Sequence, residues 1–142
     1  MKKIILLFLT IILVSCKKEN VDKVIIRDTL FTHQSLNENR KMENLISKAL
    51  KKEQNAIIEI TKFPDGGAAG YYDLGYILTQ IIYRIGENDF YKILKEIPKS
   101  ERNGFEELIA VGLEYGDNDY NGEMDNKRIE TEFPKLFEIL NK

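Results

Sequence analysis

Apolar and polar residues follow a helical rhythm over most of this chain. Met42, Leu45, Ile46, Ala49 and Leu50 recur at i, i+3, i+4, i+7 and i+8, the stripe of an amphipathic helix. Asn37 or Asn39 is placed to cap its start. Ala56, Ile57, Ile60 and Phe63 continue the spacing as a second helix, although Ile57–Ile60 also reads as a short strand. Pro64 and the glycines at 66, 67 and 70 then break the pattern. The widest stripe follows: Leu74, Ile77, Leu78, Ile81, Ile82 and Ile85, ended by Gly86 as a C-terminal cap. Asn88 opens a short helix carrying Phe90, Ile93, Leu94 and Ile97, which Pro98 stops.

Ser100 or Asn103 opens the next helix, where Asn103–Glu106 has the spacing of a capping box. Phe105, Leu108, Ile109 and Gly112 share one face, with Leu113 and Tyr115 beside it, and Gly116 ends the helix. After a polar stretch, Phe133, Leu136, Phe137 and Leu140 predict a last helix with Pro134 in its first turn and Ile129 just ahead. Upstream, Val24, Ile26 and Leu30 have strand-like spacing that Asp28 interrupts. Residues 24–31 therefore predict an extended or irregular arm laid on the domain, with 17–23 a polar tether and 33–39 a loop. The expected fold is mainly α: a small helical bundle or short helical-hairpin stack of about five helices with an irregular N-terminal arm. Its successive helix pairs loosely resemble HEAT-type pairs, without a quotable repeat motif.

The first sixteen residues follow a different logic. Lys2 and Lys3 precede an apolar run from Ile4 to Leu9, resumed after Thr10 through Val14. A positive start, a short apolar stretch and a small residue at the cut describe a secretory signal peptide. The run falls short of the roughly 20 apolar residues that span a bilayer. The alternative is an uncleaved anchor helix. Leu13, Val14, Ser15 and Cys16 resemble the lipobox of bacterial lipoproteins at all four positions. That resemblance, confined to residues 1–16, implies thioether lipidation of Cys16, cleavage before it and acylation of the new amino terminus. The expected organisation is a signal peptide at 1–15, the lipidated cysteine with tether and arm at 16–37, and a helical domain at 38–142. The expected location is the exported side of the cell envelope, on an outer or cytoplasmic membrane.

Cysteine count and charge narrow the partners. Cys16 is the only cysteine, so no internal disulfide is available and the domain relies on its apolar core. Cleavage would remove two lysines and no acid, lowering the basic count from 21 to 19 against 23 acids, a formal charge of −4. Such a surface does not fit nucleic acid, which calls for a basic stripe. It does not fit charge-driven binding to anionic lipid either, apart from Lys17 and Lys18 beside the anchor.

Catalytic motifs are absent: no G-x-S-x-G, H-E-x-x-H, P-loop or G-x-G-x-x-G occurs. His33, placed in the irregular arm, is the one histidine, which leaves a nucleophilic triad without a positioned base and zinc without its usual set of several His or Cys ligands. Acids are plentiful, but nothing singles out a pair for acid–base work. One loop carries a metal-like spacing. Asp117, Asp119, Asn121, Gly122, Glu123 and Asp125 occupy positions 1, 3, 5, 6, 7 and 9 of a loop resembling that of an EF-hand, with Met124 at the apolar position. Alternate oxygens would converge on calcium, the glycine would allow the sharp turn, and Glu123 would offer its carbonyl. Position 12 departs from the pattern: Arg128 stands where a bidentate glutamate belongs, and Glu130 follows two residues later. The plain reading is a solvated loop with an Asn-Gly turn.

At about 100° per residue, Tyr72, Tyr76 and Tyr83 gather opposite the aliphatic stripe of their helix, flanked by Thr79 and Gln80. Either the helix is packed on both faces with its hydroxyls hydrogen-bonded, or the tyrosines form a ridge for a protein partner. Three functional expectations follow. The first is a non-enzymatic, membrane-anchored interaction module, immunity-like or an envelope partner. The second is a weak calcium-binding module, and the third a carboxylate-dependent hydrolase.

Overall fold

In the computed structural model, residues 20–142 are described; the signal-like segment and Cys16 lie outside them. The described chain is mainly α, with eight helices and one two-stranded sheet. Strands β1 (Asn20–Val21) and β2 (Val24–Ile25) pair antiparallel, Val21 opposite Val24. The two residues between them, Asp22 and Lys23, both have positive φ (49° and 69°), the conformation of a type I′ hairpin turn. Helix α1 (Asp28–Thr32) follows, then α2 (Leu36–Leu50), α3 (Gln54–Thr61), α4 (Ala68–Ile85), α5 (Glu87–Glu96), a 3₁₀ turn at Lys99–Glu101, α6 (Phe105–Tyr115), α7 (Ile129–Glu132) and α8 (Pro134–Leu140).

The expected stripes form the core, except that Phe137 of the last helix is exposed. Met42, Leu45, Ile46 and Ala49 of α2, Ile57 and Ile60 of α3, and Leu74, Ile77, Leu78, Ile81 and Ile82 of α4 are buried in one cluster. Phe90 and Leu94 of α5, Leu108, Ile109 and Leu113 of α6, and Leu136 of α8 complete it. Residues 57–60 are helical and not a strand. The arm does more than lie on the surface. Val24, Ile26 and Leu30 are core residues, and the segment expected to be irregular resolves into a hairpin and a helical turn. The structured part thus begins within the stretch assigned to tether and loop.

Helix starts differ from the sequence expectations. Helix α2 is capped by Ser35, whose hydroxyl accepts from the Glu38 N–H while the Glu38 carboxylate accepts from the Ser35 N–H. This reciprocal pair satisfies two of the donors a helix start leaves open, so neither Asn37 nor Asn39 is the cap. Helix α6 has no side-chain cap, and Gly104 precedes it at φ +89°. The Asn103–Glu106 capping box does not form: Gly104, in the left-handed region, stands directly before the helix, and the Glu106 carboxylate accepts from the Asn141 amide. Helix α5 begins at Glu87, directly after Gly86 at φ +86°, a conformation that costs glycine little.

Helix α4 is the axis of the molecule. It packs on β2 and on α1, α2, α3, α5 and α6, with α6 as its principal neighbour. Two glycines set that pairing. A Cβ on Gly112 would lie 2.1 Å from the Gly75 carbonyl oxygen, and one on Gly75 would lie 2.5 Å from the Leu108 carbonyl oxygen. The helix backbones therefore touch directly, and no side chain fits between them. Gly112→Ala should force the helices apart and lower stability by about 1–3 kcal/mol, the usual cost of overpacking a dense core. Urea unfolding measures this, and an unchanged midpoint would contradict the backbone contact.

Candidate functional site

The two features singled out in the sequence, the tyrosine face and the acidic loop, form one assembly. Beyond Gly116 the chain doubles back beside the end of α6. The N–H groups of Asp125, Asn126 and Lys127 donate to the Gly116, Glu114 and Leu113 carbonyls. That return satisfies carbonyls that a helix end leaves open, and it lays residues 117–127 over the tyrosine face of α4. Tyr76 is 2% exposed. Its hydroxyl donates to the Asp117 carbonyl at 2.8 Å, and the Arg27 guanidinium lies 4.4 Å above its ring.

Asn118, to which the sequence reading gave no role, is the hub of this loop. Its amide donates to the Gly112 carbonyl (3.0 Å) and to Asp125 Oδ2 (2.7 Å), and its backbone N–H also donates to Asp125 Oδ2 (2.8 Å). Its own oxygen accepts from the buried Thr79 hydroxyl at 2.9 Å. The only sequence signal was its place between two spaced acids.

The other tyrosines sit at the edges of the same face. Tyr72 stacks on Tyr115 with centroids 4.8 Å apart, and Tyr83 tilts against Phe133 at 5.0 Å. Both are partly exposed. The three side chains thus do not form one continuous exposed ridge: the central one is under the loop, and the outer two border it. Burial pushes the Tyr76 phenol up to about 12, helped by Tyr120 and Asp117 and opposed by Arg27. The Tyr83 phenol is raised as well, by burial and then by Glu132.

The loop acids hold the loop itself. Asp117 accepts from the Asn121 and Gly122 N–H groups, and Asn121 Oδ1 accepts from the Glu123 N–H. Asp119 pairs with Lys127 at 2.7 Å. The Asp125 carboxyl is fully enclosed; Oδ1 has no hydrogen-bond partner, and the Lys127 ammonium lies 3.9 Å away. Burial works against the charge on Lys127, but Asp119, Asp125 and Glu132 outweigh it and raise its pKa. The ammonium also lies 5.6 Å from the Tyr83 ring centre, within cation–π reach. Among the described residues, no three acids or histidines are grouped so as to hold a metal ion.

The opposite flank of α4 fastens the N-terminal arm. Gln80 Oε1 accepts from the Ile25 N–H at 2.8 Å, and its Nε2 donates to the Ile25 carbonyl at 3.0 Å. The buried amide thus stands in for a neighbouring strand. Asp73 Oδ2 accepts from the Leu30 N–H at 3.0 Å, satisfying a donor in the first turn of α1. Burial raises the Asp73 carboxyl, against the lowering effects of that N–H and of Arg27. Arg84 donates to the Lys23 carbonyl at 3.0 Å, and Arg27 to the Tyr115 carbonyl at 3.2 Å. His33 is exposed at the end of α1 with no acid bound to it among the described residues.

No family model, curated protein or solved structure matches this chain.

Tyr76→Phe should leave the Asp117 carbonyl short of a donor and cost about 1–3 kcal/mol. The raised phenol adds a pH signature. Stability from the protonated hydroxyl is fully present below its unfolded value of 10.0 and is lost as pH rises toward about 12. The advantage of wild type over Tyr76→Phe should therefore shrink across that interval in urea titrations at fixed ionic strength. A gap that stays constant with pH would refute the buried hydroxyl contact.

Proposed function

We propose that this chain is a lipid-anchored protein of a bacterial cell envelope whose helical domain works by binding a protein partner and not by catalysis. The observation that carries this reading is the run from Lys2 to Cys16 ending in Leu-Val-Ser-Cys. The described fold is consistent with such an anchor. It begins four residues after Cys16, and no described helix is long and apolar enough to cross a membrane. On this reading the domain depends on the lipid for attachment and on its own core for folding.

Partner binding draws support from the surface. Tyr72 and Tyr83 each leave 38% of their surface in solvent beside the capped loop, and Tyr120 and Met124 project from that loop. Large amphipathic side chains held in place by a rigid helix suit a protein interface, because little side-chain freedom is lost on binding. The titratable groups with strongly raised values, Tyr76 and Tyr83, are tied to packing contacts in the loop assembly.

Protein grown with a labelled fatty acid should carry the label on Cys16. Cys16→Ala should yield an unlabelled chain that leaves the detergent phase. Wild-type protein without label would defeat the anchor and, with it, this reading.

A second reading, weak calcium binding by the 117–125 loop, has one observation in its favour: the enclosed Asp125 Oδ1 lacks a hydrogen-bond donor. On that reading calcium must displace the Lys127 ammonium. Millimolar calcium should then raise the melting temperature by mass action, more in Lys127→Met than in wild type. Superimposable melting curves with and without calcium in both proteins would end it.

A further inference from the structure

The end of the domain where the anchored chain enters carries an aromatic and basic patch. A groove of about 370 Å³ there is lined by Asn20, Lys23, Ile25, Arg84 and Tyr120. These residues come from the hairpin, the last turn of α4 and the tip of the acidic loop, three segments far apart in sequence. Tyr120 is 52% exposed and holds φ at 56°, an uncommon backbone state for a non-glycine residue. Lys23, in the hairpin turn, also has positive φ. Among the described residues, neither Lys23 nor Arg84 forms an ion pair; Arg84 spends one amino group on the Lys23 carbonyl. On a domain with excess acid, two unpaired cations beside an exposed tyrosine set this end apart. Asp22 adjoins them in the hairpin turn, and Asp119, beside Tyr120, is paired with Lys127.

Chain length says what faces this end. Asn20 lines the groove and stands four residues after Cys16, a span of at most about 14 Å when fully extended. If Cys16 carries lipid, the groove is held within that reach of the headgroup layer, and the intervening Lys17 and Lys18 add positive charge. Tyrosine favours this interfacial layer because its ring is apolar and its hydroxyl polar. Lysine and arginine favour it because phosphate supplies their counter-charge.

We infer that the Lys23–Arg84–Tyr120 groove is a phospholipid headgroup-docking surface that seats the anchored domain on its membrane in one orientation. This inference rests on the lipid anchor proposed above. Docking would turn the hairpin end of α4 to the bilayer and direct its N-terminal end, at Ala68, away from it. The two ends are about 25 Å apart along the helix axis.

The test uses the full lipidated chain in vesicles of phosphatidylcholine and phosphatidylglycerol. With Cys16 blocked by lipid, an introduced cysteine is the only free thiol. A fluorophore on Asn121→Cys, next to Tyr120, should be quenched by headgroup-level spin-labelled lipid. The same fluorophore on Ala69→Cys, in the first turn of α4, should not be. Adding Lys23→Gln and Arg84→Gln should lower the docked-to-undocked ratio by about fivefold per charge removed, so quenching at residue 121 should fall towards that at residue 69. Equal quenching at the two sites, or quenching at 121 indifferent to the charge changes, overturns the docking surface while leaving the anchor standing. Two labelled thiols per chain and no flotation with vesicles overturn the anchor itself, and the docking inference with it.

Discussion

The contact between the backbones of Gly75 and Gly112 governs much of the rest of the structure. Helices normally stay 8–10 Å apart because side chains separate them. Here each glycine leaves room for the partner's carbonyl, and a methyl group at either position would collide with backbone. The loop that follows α6 folds back onto its C-terminal carbonyls through Asn118 and residues 125–127, and the close crossing sets that loop against α4. Tyr76 and Thr79, one and four residues beyond Gly75, are carried under that loop. Widening the crossing by one methyl group would disturb the helix pair, the loop and the tyrosine face together.

The same helix solves a second problem. Its buried polar residues Asp73, Thr79 and Gln80 would each be costly in an apolar core without partners. Each is satisfied by a segment that lacks regular structure of its own to complete: Leu30 at the start of a five-residue helix, Ile25 on the open edge of a two-residue strand, and Asn118 in the loop. These segments are too short to be stable alone. Their order comes from α4, which thereby fixes where the N-terminal chain leaves the domain. That exit point is what gives an anchor at Cys16 a definite geometric consequence for the groove beside Lys23, Arg84 and Tyr120.

Surface ion pairs contribute little to this arrangement. Lys41–Glu59 and Lys62–Glu101 are solvent-exposed, where such pairs contribute roughly 0–1 kcal/mol. Lys127 differs in kind. It is mostly enclosed among Asp119, Asp125 and the Tyr83 ring, so it neutralises a loop whose acids would otherwise repel one another. The spacing that resembles a calcium loop is thus already supplied with a positive charge by the residue two places after Asp125.

The sequence alone determined the helical class and the core faces, because a period of 3.6 residues is a local property that burial must respect. Leu74 through Ile82 and Leu108 through Leu113 could be assigned inward without knowing what they face. The signal-like run and Cys16 are equally local, since they are read along the chain and need no fold. Only the tertiary structure decided which polar residues are buried. Tyr76, Tyr72 and Tyr83 share one helical face, yet the loop from another part of the chain covers the first and leaves the others at its rim. Gln80 and Asp73 look like ordinary surface residues until the hairpin and α1 arrive to be hydrogen-bonded. Ser35 and Glu38 were legible as a capping box but were masked by the neighbouring asparagines; Asn118 had only its place between two spaced acids as a signal, and Lys127 had none. Their partners lie 33 to 55 residues away or across a loop, and hydrogen bonds at that separation are set by how helices pack, which periodicity does not encode.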